Sequence, residues 1–209
     1  MESVQTNIEK QILRYKKGAL IFPADFRGLG SIDAIKMGLS RLTAKGKLRR
    51  LSHGIYYVPK SDPLLGELYP SPEKVATTIA RKEKVRIKPT GSQALHLLGL
   101  STQVPTKLVY LTDGERRQIK MGNTLIEFKP TTPRKLAFAG ELSSLVILAL
   151  MEVGTQHLNK ELGKKIKAIL LQEEHKILAR NLKMAPAQIY NYINNLLNEK
   201  NDWMVKPDS

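Results

Sequence analysis

Lys36, Arg41, Lys45, Lys47, Arg49, Arg50 and His53 crowd into one short stretch of the chain. Ammonium and guanidinium groups in such a cluster neutralise phosphates and reach guanine edges, and the hydroxyls of Ser31 and Ser40 suit phosphate oxygens. The residues between them decide which can act together. Ile32, Ile35, Leu39 and Leu42 recur at helical spacing, so a helix over residues 31–45 buries that stripe. Asp33, Lys36, Met37, Ser40 and Arg41 are left mostly outward. Ser31 is a good N-cap, Asp33 complements the positive end of the helix, and Gly46 stops it. Residues 47–52 and 55–58 then read as two strands around a tight His53-Gly54 turn, with Pro59 ending the pairing. A helix followed by a basic hairpin is the second half of a winged helix-turn-helix, which sets one helix in the DNA major groove and the hairpin beside the minor groove. Arg49 and Arg50 point to opposite faces of their strand, so at most one aims straight at DNA; Tyr56 and Tyr57 alternate likewise, one into the core. Plainer roles fit the same residues: a solvated helix face, charged protection of a sheet edge, and His53 serving the turn.

A second set carries different chemistry. Asp113, Glu127 and Lys129 have the spacing of a metal-dependent nuclease, in which two carboxylates hold Mg²⁺ and a lysine positions the attacking water. Against it, Asp113-Gly114 reads as a turn, and a Glu-x-Lys triplet arises by chance in a basic chain. His96, His157 and His175 lack partner spacing for a metal. Gly91-Ser92 before a helix reads as an N-cap or a phosphate site, without a P-loop or dinucleotide fingerprint. The basic run Arg81, Lys82, Lys84, Arg86 and Lys88 either extends a nucleic-acid footprint or is a solvated helix end and strand edge. The expectation is a protein that is not an enzyme, with no catalytic, cofactor or metal residues.

The elements that must position these groups fall into two domains and a tail. Residues 1–60 form the winged helix: a first helix over 4–17 capped by Ser3, a short apolar run at 19–22, a short helix over 23–27 opened by Pro23, then the helix and hairpin above. Residues 60–72, rich in Pro with Gly and Ser, mark the boundary. Residues 70–198 form an α/β domain with a small mixed sheet and C-terminal helices. Its expected elements are a helix from Ser71-Pro72-Glu73 to about residue 81, strands at 85–87 and 107–112, a short helix at 92–98, and a hairpin of 118–121 and 124–128 across Gly122-Asn123. A nearly all-apolar helix over 141–153 sits at the centre of the second core. Later helices carry Leu158, Leu162, Ile166 and Ile169, then Ile189, Ile193 and Leu196. Residues 199–209 are a polar tail. The fold class is therefore α/β (α+β).

Composition supports this. In 209 residues, 42% are hydrophobic, enough for a real core. Thirty-four Lys+Arg against 19 Asp+Glu give a formal net charge of +15, which points to a phosphate backbone as partner. Residues 1–60 hold 12 basic and 4 acidic side chains, so charge is densest there. The absence of cysteine excludes disulfides and thiolate chemistry and fits a reducing, cytoplasmic setting. No signal peptide or membrane span is expected.

Several strings carry a family likeness: Gly30-Ser31 with Gly38-Leu39-Ser40-Arg41-Leu42, Lys45-Gly46-Lys47-Leu48-Arg49-Arg50 and Gly54-Ile55-Tyr56-Tyr57. It continues through Pro63-Leu64-Leu65-Gly66, Leu97-Leu98-Gly99-Leu100-Ser101-Thr102-Gln103-Val104-Pro105, Val109-Tyr110-Leu111-Thr112-Asp113-Gly114 and Thr131-Thr132-Pro133-Arg134. Over residues 8–195 the chain resembles a less characterised branch related to AbiEi-type antitoxins of bacterial type IV toxin–antitoxin systems. The resemblance implies a two-domain repressor and antitoxin that binds inverted repeats of double-stranded promoter DNA. It also implies a nucleotidyltransferase-like toxin as the opposed partner, without a stable complex being required. A stand-alone regulator is the alternative.

Overall fold

The computed structural model describes residues 3–156 and 158–198; His157 and the expected tail 199–209 lie outside the described residues. The chain divides into two compact units, Met1–Lys84 with Ile119–Leu125, and Val85–Gln118 with Ile126–Ser209. The division falls after Lys84, beyond the Pro-rich boundary expected at 60–72. Residues 60–72 are not a linker, because two short strands and a helix cap form there.

In the first unit, α1 (Val4–Ile12) is capped by Ser3, whose Oγ accepts from the Thr6 amide. It ends five residues earlier than its periodicity suggests. Past Ile12 the bonds tighten to i→i+3, and the Gly18 amide is drawn to the Val58 carbonyl at 2.8 Å. β1 (Leu20–Ile21) then joins a three-stranded sheet ordered β1-β3-β2. A 3-10 turn, Pro23–Phe26, leads to α2 (Ile32–Ala44). Ser31 Oγ caps α2 by accepting from the Ala34 amide at 3.2 Å, a contact worth about 1 kcal/mol. Gly46, at φ 72, closes it: the Gly46 amide bonds Thr43 O and the Lys47 amide bonds Leu42 O, each at 3.0 Å. The buried side of α2 is Ile35, Gly38, Leu39 and Leu42, packed with Ile8, Ile12, Ile21 and Phe26. A Cβ on Gly38 would lie 3.1 Å from Ile8 Cδ1, which shows how closely the two helices approach.

β2 (Arg49–Ser52) and β3 (Ile55–Tyr57) form the expected hairpin, with an irregularity between Arg50 and Ser52. A second hairpin follows, β4 (Lys60–Asp62) and β5 (Gly66–Leu68), its turn fixed by Asp62 Oδ1 accepting from the Leu64 and Leu65 amides. α3 (Pro72–Glu83), capped by Ser71 and ended by Lys84 in the left-handed region, completes this unit.

The second unit holds most of a mixed sheet ordered β6-β7-β9-β8: β6 (Ile87–Thr90), β7 (Lys107–Thr112), β8 (Arg117–Met121) and β9 (Thr124–Pro130), of which Ile119–Leu125 is grouped with the first unit. β6 is antiparallel to β7 and lies at the edge, where Pro89 costs no ladder bond. β8 and β9 are joined only by Gly122-Asn123, so they are antiparallel. β7 and β9 run the same way. Lys107, at the start of β7, reaches Glu127 at 2.7 Å, while the Thr131 amide just past β9 bonds Thr112 O at 2.9 Å. α4 (Ser92–Leu97) and α5 (Pro133–Leu136) are short. α6 (Leu142–Val153) is apolar on nearly every side and lies in the core with α7 (Lys160–Leu170), α8 (His175–Met184) and α9 (Ala187–Asn198). Among the described residues no helix is long and apolar enough to cross a membrane.

Candidate nucleic-acid interface

Two elements present the basic residues of 31–58. On α2, Lys36, Met37, Ser40 and Arg41 are exposed, as are Ser31 before it and Lys45 at its C-cap. Lys36 makes only a loose pair with Asp33, at 3.7 Å, and Lys47 an even looser one with Glu9, at 3.9 Å. Arg41 and Lys45 have no carboxylate partner among the described residues. Ile32 departs from expectation. It stands in the first turn of α2 and is 68% exposed instead of joining the core stripe. It thus adds an apolar patch one turn before Lys36, of a kind that suits a thymine methyl.

The hairpin divides its cations. Arg50 folds back over the turn, its Nη2 3.1 Å from His53 Nδ1, with no carboxylate partner among the described residues. Arg49 does the opposite. Its Nε donates to both oxygens of Glu67 on β5, at 3.0 and 2.9 Å. Its charge is therefore neutralised within the unit more closely than that of Lys36 or Lys47, whose carboxylate partners lie 3.7 and 3.9 Å away. Tyr57 donates its hydroxyl to the same Glu67 at 2.8 Å and lies 5.9 Å from the Tyr69 ring. These contacts explain why Tyr57 is buried as well as Tyr56, where alternation predicted only one. The Tyr57 and Arg49 hydrogen bonds hold the Glu67 carboxyl below its usual range. Burial, then the bond to Glu67, pushes the Tyr57 hydroxyl up. Glu67 escaped the sequence reading because its segment looked like linker.

Three of the five cations in the basic run 81–88 are engaged within the protein. Lys82 is paired with Asp25 and lies over the Phe22 ring. Arg86 grips Asp113 through its amide at 2.7 Å and its Nε at 2.8 Å. Lys88 is half-buried beside Ser144 Oγ, and that burial lowers its pKa.

The nuclease geometry is not assembled. Glu127, 4% exposed, is bound by Lys107 at 2.7 Å, Arg116 at 2.9 Å and Gln118 at 3.3 Å. The Lys107 bond, with Arg116 and Gln118 behind it, holds its carboxyl at about 2. Asp113 follows the far end of β7 from Lys107, so along parallel strands it is offset from Glu127 by roughly 15–20 Å. Two carboxylates so far apart, each already bonded to cations, cannot share one ion. Gly91 serves as the N-cap of the short α4.

Comparison with solved structures defines the class: an α/β fold shared with a crystal structure of the RV2827C protein from Mycobacterium tuberculosis, at TM-score 0.55 and 12% identity over 93% of this chain and 76% of that one. At that identity the likeness concerns the fold alone. The chain belongs to the family of unknown function DUF6088, whose model matches residues 7–178. No curated protein matches it.

Proposed function

We propose that the chain is a bacterial, cytoplasmic repressor that grips duplex DNA through residues 31–58 as a winged helix, and that it is the antitoxin arm of a type IV toxin–antitoxin pair. The observation that carries the DNA-binding half is the outer face of α2. Lys36, Met37, Ser40 and Arg41 share the exposed side of a helix whose other side is core, and Arg41 and Lys45 lack carboxylate partners among the described residues. In this reading α2 lies in the major groove, Lys36 and Arg41 reach base edges or phosphates, and Ser31 and Ser40 bond phosphate oxygens. Arg50 and His53 enter the minor groove, and Lys45 and Lys47 clamp the backbone. The antitoxin half draws on the likeness across residues 63–134, and its counterpart is a nucleotidyltransferase-like toxin that need not bind stably.

The test is fluorescence anisotropy of the full chain with duplex from its own promoter region at moderate salt. Lys36→Ala with Arg41→Ala is expected to weaken binding by about tenfold or more and to lower the salt slope by about two. Unchanged affinity sinks the DNA-binding reading. Failure of the full chain to rescue cells from a nucleotidyltransferase-like neighbour overturns the antitoxin half alone.

A further inference from the structure

α8 and α9 are separated by only two residues, Ala185 and Pro186. Both helices turn one side into the same core: Leu178 and Ala185 from the first helix and its cap, Ile189, Ile193 and Leu196 from the second. Two helices joined by so short a turn and sharing a core with a third, α7, leave the outer face of the second exposed, the connectivity that helix-turn-helix readers use to present a helix to DNA. The turn is held in place. Arg134 donates through Nε and Nη2 to the Met184 carbonyl at 3.2 and 2.9 Å, and Gln188 donates to Thr155 Oγ1 at 3.0 Å. Asn181, fully buried, bonds the Ala139 amide at 2.9 Å and Ser143 Oγ at 2.7 Å, anchoring α8.

The outer face of α9 is unusual for a solvated helix. A quarter of the chain's residues are charged, yet the α9 sequence AQIYNYINNLLN contains none. Its outward positions are Tyr190, 41% exposed, with Asn191, Asn195 and Asn198 exposed and Asn194 half-buried. Asparagine is a weak helix former, because its amide competes with the backbone for hydrogen bonds. A face that needed only water would be better served by Glu, Lys or Gln. An amide face with a tyrosine has the donors and acceptors that pair with the N6 and N7 edge of adenine. The preceding helix, α8, exposes Lys176, Arg180 and Lys183 at i, i+4 and i+7, one stripe without a carboxylate partner among the described residues. That stripe supplies the phosphate contacts a reading helix needs.

We propose that α8 and α9 form a second duplex-DNA reader, in which the α9 asparagines read adenine-containing base pairs and the α8 cations fix the backbone. It is independent of the reader on residues 31–58.

The experiment uses the full chain and a random-sequence duplex pool, followed by anisotropy on the selected duplex and a scrambled one. Asn191→Ala with Asn195→Ala places a better helix former at exposed positions, so folding is retained. This variant is expected to bind the selected duplex about 10- to 100-fold more weakly, to keep its scrambled-duplex affinity and salt slope, and to select a sequence stripped of adenine preference at some positions. Lys176→Ala with Arg180→Ala is expected to weaken both duplexes and to lower the salt slope by about two. The same selection on the Lys36→Ala, Arg41→Ala background separates the two readers. An asparagine-dependent sequence that survives there supports the second reader even if the first fails. A selected sequence and affinity indifferent to the asparagine pair overturn the second reader and leave the first standing. Preference for single-stranded RNA over the duplex in direct competition also overturns it.

Discussion

Arg49 and Glu67, 18 positions apart in the chain, form an ion pair in which one guanidinium nitrogen lies within 3.0 Å of both carboxylate oxygens. The Tyr57 hydroxyl shares one of those oxygens. The pair ties the first hairpin of the N-terminal unit to the second and withdraws a positive charge from the surface proposed to meet DNA.

Removing the carboxylate should return that charge. Glu67→Gln is expected to tighten duplex binding by a few-fold and to steepen the salt dependence by about one unit of slope. Arg49→Ala should weaken binding less than Arg50→Ala, since among the described residues Arg50 bonds Ser52 O and His53 and no carboxylate. Titrations of the three variants over a range of salt check this; equal losses for Arg49→Ala and Arg50→Ala would show that the pair opens on binding.

Acid should act through Glu127. Its folded carboxyl titrates at about 2 against the usual 4.5. The stability it supplies is therefore complete above about 4.5 and is lost as pH falls from there through 2. Glu127→Gln leaves Lys107 and Arg116, both more than half exposed, to rehydrate without their counter-charge and is expected to cost about 1–2 kcal/mol near neutral pH. Thermal melts of the two proteins should converge as pH falls across that window. A constant gap in melting temperature would count against the assignment.

Gly140 sits at φ 68, and a Cβ there would lie 2.6 Å from Ile177 Cγ2 and 2.8 Å from Glu173 Oε2. Neither neighbour can give way easily. Ile177 is branched and stiff, and Glu173 is held by the Ser143 amide and hydroxyl at 2.8 and 2.9 Å. Gly140→Ala is expected to cost about 2–3 kcal/mol, against about 1 kcal/mol for Gly122→Ala, where φ is 55 and nothing lies within 4 Å. Denaturant unfolding of the two variants measures the difference.

What could be read in advance was local. Ser3, Ser31 and Ser71 as caps, the stop at Gly46, the hairpin around Gly122-Asn123 and the strand Lys107–Thr112 each depend on residues within a turn or two of one another. What could not be read depends on a distant partner. The burial of Tyr57 follows from Glu67, and the fate of Glu127 follows from Lys107 and Arg116. The β4–β5 hairpin was hidden by its Pro, Gly and Ser content, which reads as linker although Asp62 makes it a turn. The α9 stripe of Ile189, Ile193 and Leu196 was legible as core. The asparagines opposite it gain meaning only when the helix before them ends two residues away.

From Leu142 to Met151, α6 carries no charge, and its neighbours in the core include Leu178 of α8 and Ile189 and Ile193 of α9. When those two helices swing away, an uncharged apolar strip meets water and can associate with the same strip on another copy. Loss of α8 and α9 from that core is therefore expected to promote self-association on heating. An occupant that grips the outer face of α9 would keep that cover shut, so occupancy there should also be visible as delayed aggregation.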